Sequence, residues 1–413
     1  MSATARDPAE GAGARRRAEA LDAADELAGF RDRFVVADPS IVYLDGNSLG
    51  RLPKAAVDRI RDEAERGWGD RLVRAWDEGW MELAARIGDT IGTRLLGARA
   101  GEVVVGESTT VNFYKLCTAA IRARPGRTVV VTDRDNFQTD RYVAEGVAAA
   151  NGLELRWIDA DMVNGPQPAD VAAALDDTVA LVTLSHVAYR TSAIAEMAAI
   201  TAMAHEAGAL TVWDLSHAAG SVPVDLTGAG ADLAVGCTYK YLNGGPGAPA
   251  FLYVRSELQP ELRQPIWGWL GRRDPFEMAQ GFDPAGGLTA FLSGTPPILS
   301  MVPIEEGVGM LVEAGLDRLR AKGIALTEFA VELFDAWLAP LGFVLGCPRD
   351  PRRRGSHVLF RHDRAKELYE ALLGRGVVAD YREPQGVRVG LAPLTTRFVD
   401  VHDGLATLAE LAS

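Results

Sequence analysis

Seven short β-rich runs alternate with longer amphipathic ones through the middle of the chain, and this alternation limits the possible folds more than any other feature. The runs are 102–105, 128–132, 153–158, 179–184, 210–214, 233–237 and 250–254. Helical patterns lie between several of them, at 112–123, 142–150 and 194–207. Strand, helix, strand repeated in this way predicts an α/β fold with a mostly parallel seven-stranded sheet covered by helices on both faces. Ligands then belong at the loops beyond the strand C-termini. Two Gly/Pro-rich stretches, 244–249 and 286–297, interrupt the pattern before a long helix is expected over 304–321. The second stretch is the expected hinge into a smaller α+β C-terminal domain. That domain is expected to hold helices at 326–338 and 365–373, strands at 357–360 and 387–391, and a closing helix at 400–411. The chain thus divides into an N-terminal tail and arm (1–66), a large domain (67–295) and a small C-terminal domain (296–413).

The 413 residues leave room for more than one packed unit, and 48% apolar with 24% charged residues excludes a disordered or fibrous chain. Forty-three Lys and Arg face 56 Asp and Glu, a net charge of −13, which repels phosphate backbones and anionic lipid, so no nucleic acid or membrane partner is expected. The three cysteines, Cys117, Cys237 and Cys347, lack C-x-x-C spacing, which points to a reducing compartment, the cytoplasm, and to no structural metal. No run is long enough to span a membrane. Residues 1–17 carry arginines without a following apolar run, unlike a signal peptide. Residues 1–13 read as a polar mobile tail, followed by a helix over 16–30 suited to covering a partner subunit.

Gly46-Asn47-Ser48-Leu49-Gly50 matches G-x-S-x-G, with a strand-like Val42-Tyr43-Leu44 before it and a helix from about Pro53 after it. That is the setting of a nucleophile elbow. An α/β-hydrolase, however, needs several strands and an oxyanion-hole loop upstream, and the preceding residues supply neither. A tight glycine turn is the better reading. Dinucleotide and Walker motifs are missing, and the six histidines show no H-E-x-x-H spacing.

The segment from Leu210 to Val254 is the most informative. Asp214 ends one apolar strand, His217 follows three residues on, and Lys240 sits beyond a second strand between Tyr239 and Tyr241, before a glycine run. A carboxylate at a strand end can keep a pyridine nitrogen protonated, and a lysine among aromatic neighbours can form a Schiff base. Those are the two requirements of a pyridoxal phosphate site.

Trp213-Asp214-Leu215-Ser216-His217 and Thr238-Tyr239-Lys240-Tyr241-Leu242-Asn243-Gly244-Gly245-Pro246-Gly247 closely resemble the kynureninase family of fold-type I pyridoxal phosphate enzymes. The resemblance extends to Tyr43-Leu44-Asp45-Gly46-Asn47-Ser48-Leu49-Gly50, Glu107-Ser108-Thr109-Thr110-Val111-Asn112, Phe137-Gln138-Thr139-Asp140, Gly268-Trp269-Leu270-Gly271, Gly294-Thr295-Pro296-Pro297 and Arg388-Val389-Gly390-Leu391. These strings lie in the family's order and cover nearly the whole chain.

The resemblance implies pyridoxal 5′-phosphate as cofactor, with Lys240 as Schiff-base lysine, Asp214 partnering the pyridinium nitrogen and His217 beside the ring. Phe137 matches the stacking aromatic, Asp140 lies close by in the same loop, and Thr109 and Thr110 match the phosphate-binding helix start. Ser185, Tyr239, Trp269 and Thr295 match further cofactor contacts, the last two reaching a neighbouring subunit's site, so a homodimer with its site at the interface is implied. Arg388 matches the residue that binds the amino-acid substrate's carboxylate, and Trp68 one that lines the aryl pocket. The implied reaction is hydrolytic cleavage of the Cβ–Cγ bond of kynurenine or 3-hydroxykynurenine, with Tyr239 relaying protons.

Four positions depart from the family pattern: Gln138, Ala188, Arg272 and Thr395. Arg272 is expected near the site entrance, where a cation would favour an anionic substituent. These departures keep open an alternative, a related lyase or aminotransferase acting on another β-substituted amino acid. A cysteine desulfurase is disfavoured because Val358 follows Arg354-Gly355-Ser356-His357 where those enzymes carry their nucleophilic cysteine.

Overall fold

The structure is a computed structural model describing residues 8–413. Its strands are β1 (Val42–Tyr43), β2 (Val103–Val105), β3 (Val129–Asp133), β4 (Glu154–Ile158), β5 (Val179–Ser185), β6 (Leu210–Asp214), β7 (Leu233–Gly236), β8 (Phe251–Val254), β9 (Val344–Leu345), β10 (His357–Arg361), β11 (Val377–Val378), β12 (Asp380–Arg382) and β13 (Gly386–Gly390). The α-helices are α1 (Pro8–Ala23), α2 (Lys54–Asp62), α3 (Trp80–Leu95), α4 (Thr109–Arg122), α5 (Gln138–Asn151), α6 (Pro168–Ala174), α7 (Met197–Glu206), α8 (Ile298–Ala314), α9 (Leu316–Leu333), α10 (Ala365–Gly374) and α11 (Phe398–Ala412).

The predicted seven-stranded sheet forms with order β2-β8-β7-β6-β5-β3-β4. The pairs from β4 through β7 are parallel, and β8 runs antiparallel to both its neighbours. Its central strands read as continuous apolar runs because both faces are covered: β3, β5, β6 and β7 are buried along their whole length. A four-stranded antiparallel sheet, β12-β13-β10-β9, belongs to a second hydrophobic core with α9, α10 and α11. The helix α8 buries Met301, Val302 and Ile304 in the larger core.

Two helix expectations need correction. The single helix over 304–321 is two helices, because Gly315 adopts φ 81° between them, a left-handed conformation that glycine takes without steric cost. The N-terminal helix begins at Pro8, well before Arg16, and ends at Ala23 instead of reaching Phe30. It stops where two aspartates engage other partners: Asp22 accepts from the Phe398 and Val399 N–H groups, and Asp25 pairs with Lys322 at 2.6 Å. The arm therefore lies on α11 of its own chain, with Ala18 buried in the second core. Residues 1–7 of the expected tail lie outside the described residues.

Candidate active site

Parallel strands deliver their C-terminal ends to one edge of the large sheet, and a cavity of about 730 Å³ opens there. Thr109, Thr110, Phe137, Asp140, Asp214, His217, Tyr239, Lys240 and Thr295 all line it. Asp214 is the last residue of β6, and its Oδ1 accepts the Ser216 N–H at 2.6 Å, a turn that carries His217 into the cavity. Lys240 follows β7; its Nζ lies 3.3 Å from His217 Nε2 and faces the rings of Phe137 at 5.7 Å and Tyr239 at 5.9 Å. Gly50 lets the Gly46–Gly50 turn dock on this segment: its N–H donates to the Tyr239 carbonyl at 2.8 Å, and a Cβ there would stand 2.3 Å from the Lys240 carbonyl oxygen. That docking, and not a nucleophile elbow, is the role of the Gly-Asn-Ser-Leu-Gly string.

The electrostatics are set by burial. Asp140 is enclosed next to Asp214, and burial together with the Asp214 charge holds its carboxyl well above the usual carboxylate range. Burial and then the nearby Lys240 charge push His217 far below its ordinary value, so it is a neutral imidazole. Burial likewise raises Tyr239, keeping the phenol protonated at physiological pH.

The arrangement fits pyridoxal phosphate. Asp140 Oδ2 is buried without a partner beside Asp214, a demand for a hydrogen-bonding cation such as a pyridinium N–H. At the other end of the cavity α4 presents its N-terminus, whose first N–H groups have no helical partners and suit a phosphate. Ser108 caps this helix by accepting the Val111 N–H at 3.3 Å, so α4 starts three residues before the expected Asn112.

Four expected site residues lie off this cavity wall. Ser185 donates to Asn136 Oδ1 at 2.7 Å and lines a smaller adjoining pocket with Ala188 and Tyr189. Trp269 and Trp68 are 37% and 60% exposed on the surface of the single chain. Arg388 is buried on β13 behind Tyr189, whose ring packs edge-on against Phe137 at 5.4 Å.

Of the departures, Arg272 has its partners within its own loop. Its Nη1 donates to Glu277 Oε2 at 2.7 Å and to the Asp274 carbonyl at 2.7 Å, so its charge is answered within its own loop and does not reach the cavity wall. Gln138 is exposed at the start of α5, and Thr395 is buried with its carbonyl accepting from Arg31.

Three contributors were missed in the sequence. Lys115, fully buried on α4, joins Glu107 Oε1 at 3.1 Å to the Phe291 carbonyl at 2.9 Å, tying the phosphate end of the cavity to the loop that carries Thr295. His357 packs its ring 5.5 Å from that of His217. Asp380 holds Arg388. A lysine inside an otherwise apolar helix face was the available signal for Lys115; His357 and Asp380 gave none.

A fold of this kind with a lysine, a strand-end aspartate and an open helix N-terminus around one cavity defines a fold-type I pyridoxal phosphate enzyme. Solved structures with the same fold include a cysteine desulfurase from Thermococcus onnurineus NA1 (TM-score 0.78, 20% identity, covering 90% of this chain and 94% of that one). Another is a cysteine desulfurase from Escherichia coli (TM-score 0.78, 18% identity, 94% and 98% covered). A third is a cystine C–S lyase with glycine covalently linked to its pyridoxal phosphate (TM-score 0.80, 16% identity, 90% and 97% covered). Residues 319–408 match the kynureninase C-terminal domain model. Kynureninase from Pseudomonas fluorescens is 43% identical over 399 residues, 95% of this chain and 94% of the relative. Kynureninase from Burkholderia pseudomallei strain 1106a is 44% identical over 404 residues, covering 96% and 95%. The chain belongs to the kynureninase family.

Proposed function

We propose that this enzyme uses pyridoxal 5′-phosphate to hydrolyse L-kynurenine, 3-hydroxykynurenine or both, releasing L-alanine and anthranilate or its 3-hydroxy analogue. The observation that carries this reading is the convergence of Lys240, Asp214 and the α4 N-terminus on one cavity. When bound, the cofactor supplies an electron sink for negative charge developing on the substrate's carbon chain.

The chain's own residues do the rest. Ser108, Thr109 and Thr110 at the start of α4 hold the phosphate, and Phe137 and His217 wall the ring site. Asp214, with Asp140 beside it, keeps the ring nitrogen protonated. Lys240 Nζ would hold the cofactor and, as a free amine, would be the base that takes the proton from the substrate's α-carbon. Water adds to the γ-carbonyl carbon; the Cβ–Cγ bond then breaks, leaving its electron pair on Cβ, where a proton arrives. Tyr239, half-buried beside Lys240 and kept protonated, is positioned to relay that proton. Arg388 binds the α-carboxylate.

Several broader readings accompany this one. Trp68 and Trp269 are exposed on the single chain, consistent with a homodimer in which they complete the neighbour's cavity and Trp68 meets the aryl group, whereas Thr295 already lines the cavity of its own chain. The proposed division is an arm (1–66), a cofactor domain (67–295) and a C-terminal domain (296–413), although the apolar residues that α8 buries belong to the larger core. A cytoplasmic setting fits three buried free cysteines, and a place in tryptophan breakdown follows from the proposed substrate alone; among the described residues no helix is long and apolar enough to cross a membrane.

The test is anthranilate fluorescence on mixing the pyridoxal phosphate-loaded protein with L-kynurenine and, separately, with 3-hydroxykynurenine, using Lys240→Ala as blank. Product from either substrate, with equimolar alanine, supports the reading. Silence from both, with the cofactor's absorption band present, overturns it in favour of another β-substituted amino acid. A light-scattering mass of twice 44.2 kDa checks the dimer.

A further inference from the structure

Arg388 has more partners than carboxylate capture requires. Its Nε donates to Asp380 Oδ1 at 3.0 Å and its Nη2 to Asp380 Oδ2, so one carboxylate grips the side edge of the guanidinium fork. Nη2 also reaches Ser48 Oγ at 3.1 Å, and Nη1 donates to the Tyr189 carbonyl. Ser48 donates to Asp380 Oδ2 at 2.9 Å, and Arg382 Nη2 donates to the same oxygen at 2.7 Å. With its amide oxygen toward the guanidinium, Asn47 accepts from Nε at 2.9 Å and Nη2 at 3.0 Å, while its nitrogen reaches Asp45 Oδ1 at 3.3 Å. Asn47 fits there because Gly390 has no side chain: a Cβ would stand 1.6 Å from the Asn47 amide.

A guanidinium offers two edges for bidentate pairing, Nε with Nη2 and Nη1 with Nη2. Asp380 fills the first. At the second, Nη2 meets the Ser48 hydroxyl and Nη1 the Tyr189 carbonyl, neutral groups that an incoming carboxylate can displace or share. The geometry points to Asp380 as the positioning residue that turns the Nη1–Nη2 end of Arg388 toward the substrate carboxylate, with Asp45, which the Asn47 amide contacts, as the second carboxyl group of the cluster. This rests on the reading of Arg388 as the carboxylate-binding residue.

Charge counting shows why both aspartates matter. Burial works to raise Asp380, but Arg388 and Arg382 outweigh it and hold the carboxyl below the usual range, so Asp380 is ionised. Burial and the Asp380 charge raise Asp45 to about 7. Below pH 7, while Asp45 keeps its proton, Arg388 and Arg382 face one full negative charge, and a net positive charge remains for the substrate. Tyr43 and Tyr241, both kept protonated by burial, His357 and His217, both kept neutral by burial, and the cations Arg51 and Lys240 also lie around the cluster. Above pH 7 Asp45 loses its proton and the surplus positive charge is cancelled.

The test uses the pyridoxal phosphate-loaded full chain and the change in cofactor absorbance on adding L-alanine or L-alaninamide, which lacks the carboxylate. Wild type is expected to prefer alanine. Asp380→Asn is expected to lose alanine affinity by roughly tenfold to a hundredfold, with alaninamide affinity unchanged. Ser48→Ala, a milder change should Asp380→Asn fold poorly, is expected to shift the ratio the same way by less. Alanine affinity should fall from pH 6 to 8.5 more steeply in wild type than in Asp45→Asn, a comparison in which the ligand's own titration cancels. An unchanged or raised alanine-to-alaninamide preference in both Asp380→Asn and Ser48→Ala, or equal loss of both ligands, overturns the positioning role. Equal pH slopes overturn the part given to Asp45. If wild type itself shows no preference for alanine, the reading of Arg388 fails and this inference with it, whereas anthranilate release tests the reaction separately.

Discussion

The edge of the seven-stranded sheet and the seam beside the four-stranded sheet build two halves of one site in different ways. The cofactor half is assembled from loops that directly follow β2, β3, β6 and β7, so each side chain inherits its place from a buried strand. The carboxylate half is assembled across the chain: Ser48 meets Asp380 over a separation of 332 residues, and Arg388 depends on the register that sets Asp380 opposite it on β12 and β13. Strand ends fix chemistry locally, while a seam fixes it through partners remote in sequence. The first half should therefore govern turnover and the second substrate affinity.

The sharpest break between the halves is expected from Lys240→Ala, which should lower anthranilate release by roughly 10⁴-fold or more because the base and cofactor anchor are both lost. Asp214→Asn should lower kcat by roughly 10²–10³-fold with a weakened cofactor band, since it removes preorganised charge from the ring nitrogen. Asp380→Asn should instead raise KM by roughly tenfold to a hundredfold with kcat and the cofactor band retained. A fall in kcat as large as for Asp214→Asn would erase the distinction.

Two smaller effects refine the comparison. Gly390→Ala forces a methyl against the Asn47 amide and should cost about 1–3 kcal/mol of stability, read by urea unfolding, with KM raised and the cofactor band unchanged. Asp133, at the end of β3, has its carboxyl raised to about 7 by burial. The folded state then keeps a proton that the unfolded chain has released above about pH 4, so this residue's contribution to stability is full at low pH and declines as pH rises to 7. Asp133→Asn should accordingly gain in melting temperature over wild type between pH 5 and pH 8, and a gain independent of pH would contradict this.

The same contrast explains what could be read from the sequence. The large sheet and the pairing of Asp214 with Lys240 were legible because both residues sit beside apolar runs within a single segment of the chain. The split of one expected helix at Gly315 was not, since apolar periodicity continues through the glycine and only its positive φ breaks the helix. Asp380 was invisible for a related reason. Nothing in Ala379-Asp380-Tyr381-Arg382 marks it until β12 pairs with β13 and the Gly46–Gly50 turn closes over it. For Arg272 the sequence showed a cation but not its pairing, within the single chain, with Glu277 five residues on.

The most direct test of the two-half account is a spectrophotometric titration of the pyridoxal phosphate-loaded Asp380→Asn protein with L-kynurenine, following the cofactor band and anthranilate together. The account predicts an intact band and a wild-type turnover number reached only at much higher kynurenine concentration. An altered band, or a turnover number that stays low at saturation, would show that the seam shapes the chemistry itself and would contradict the division.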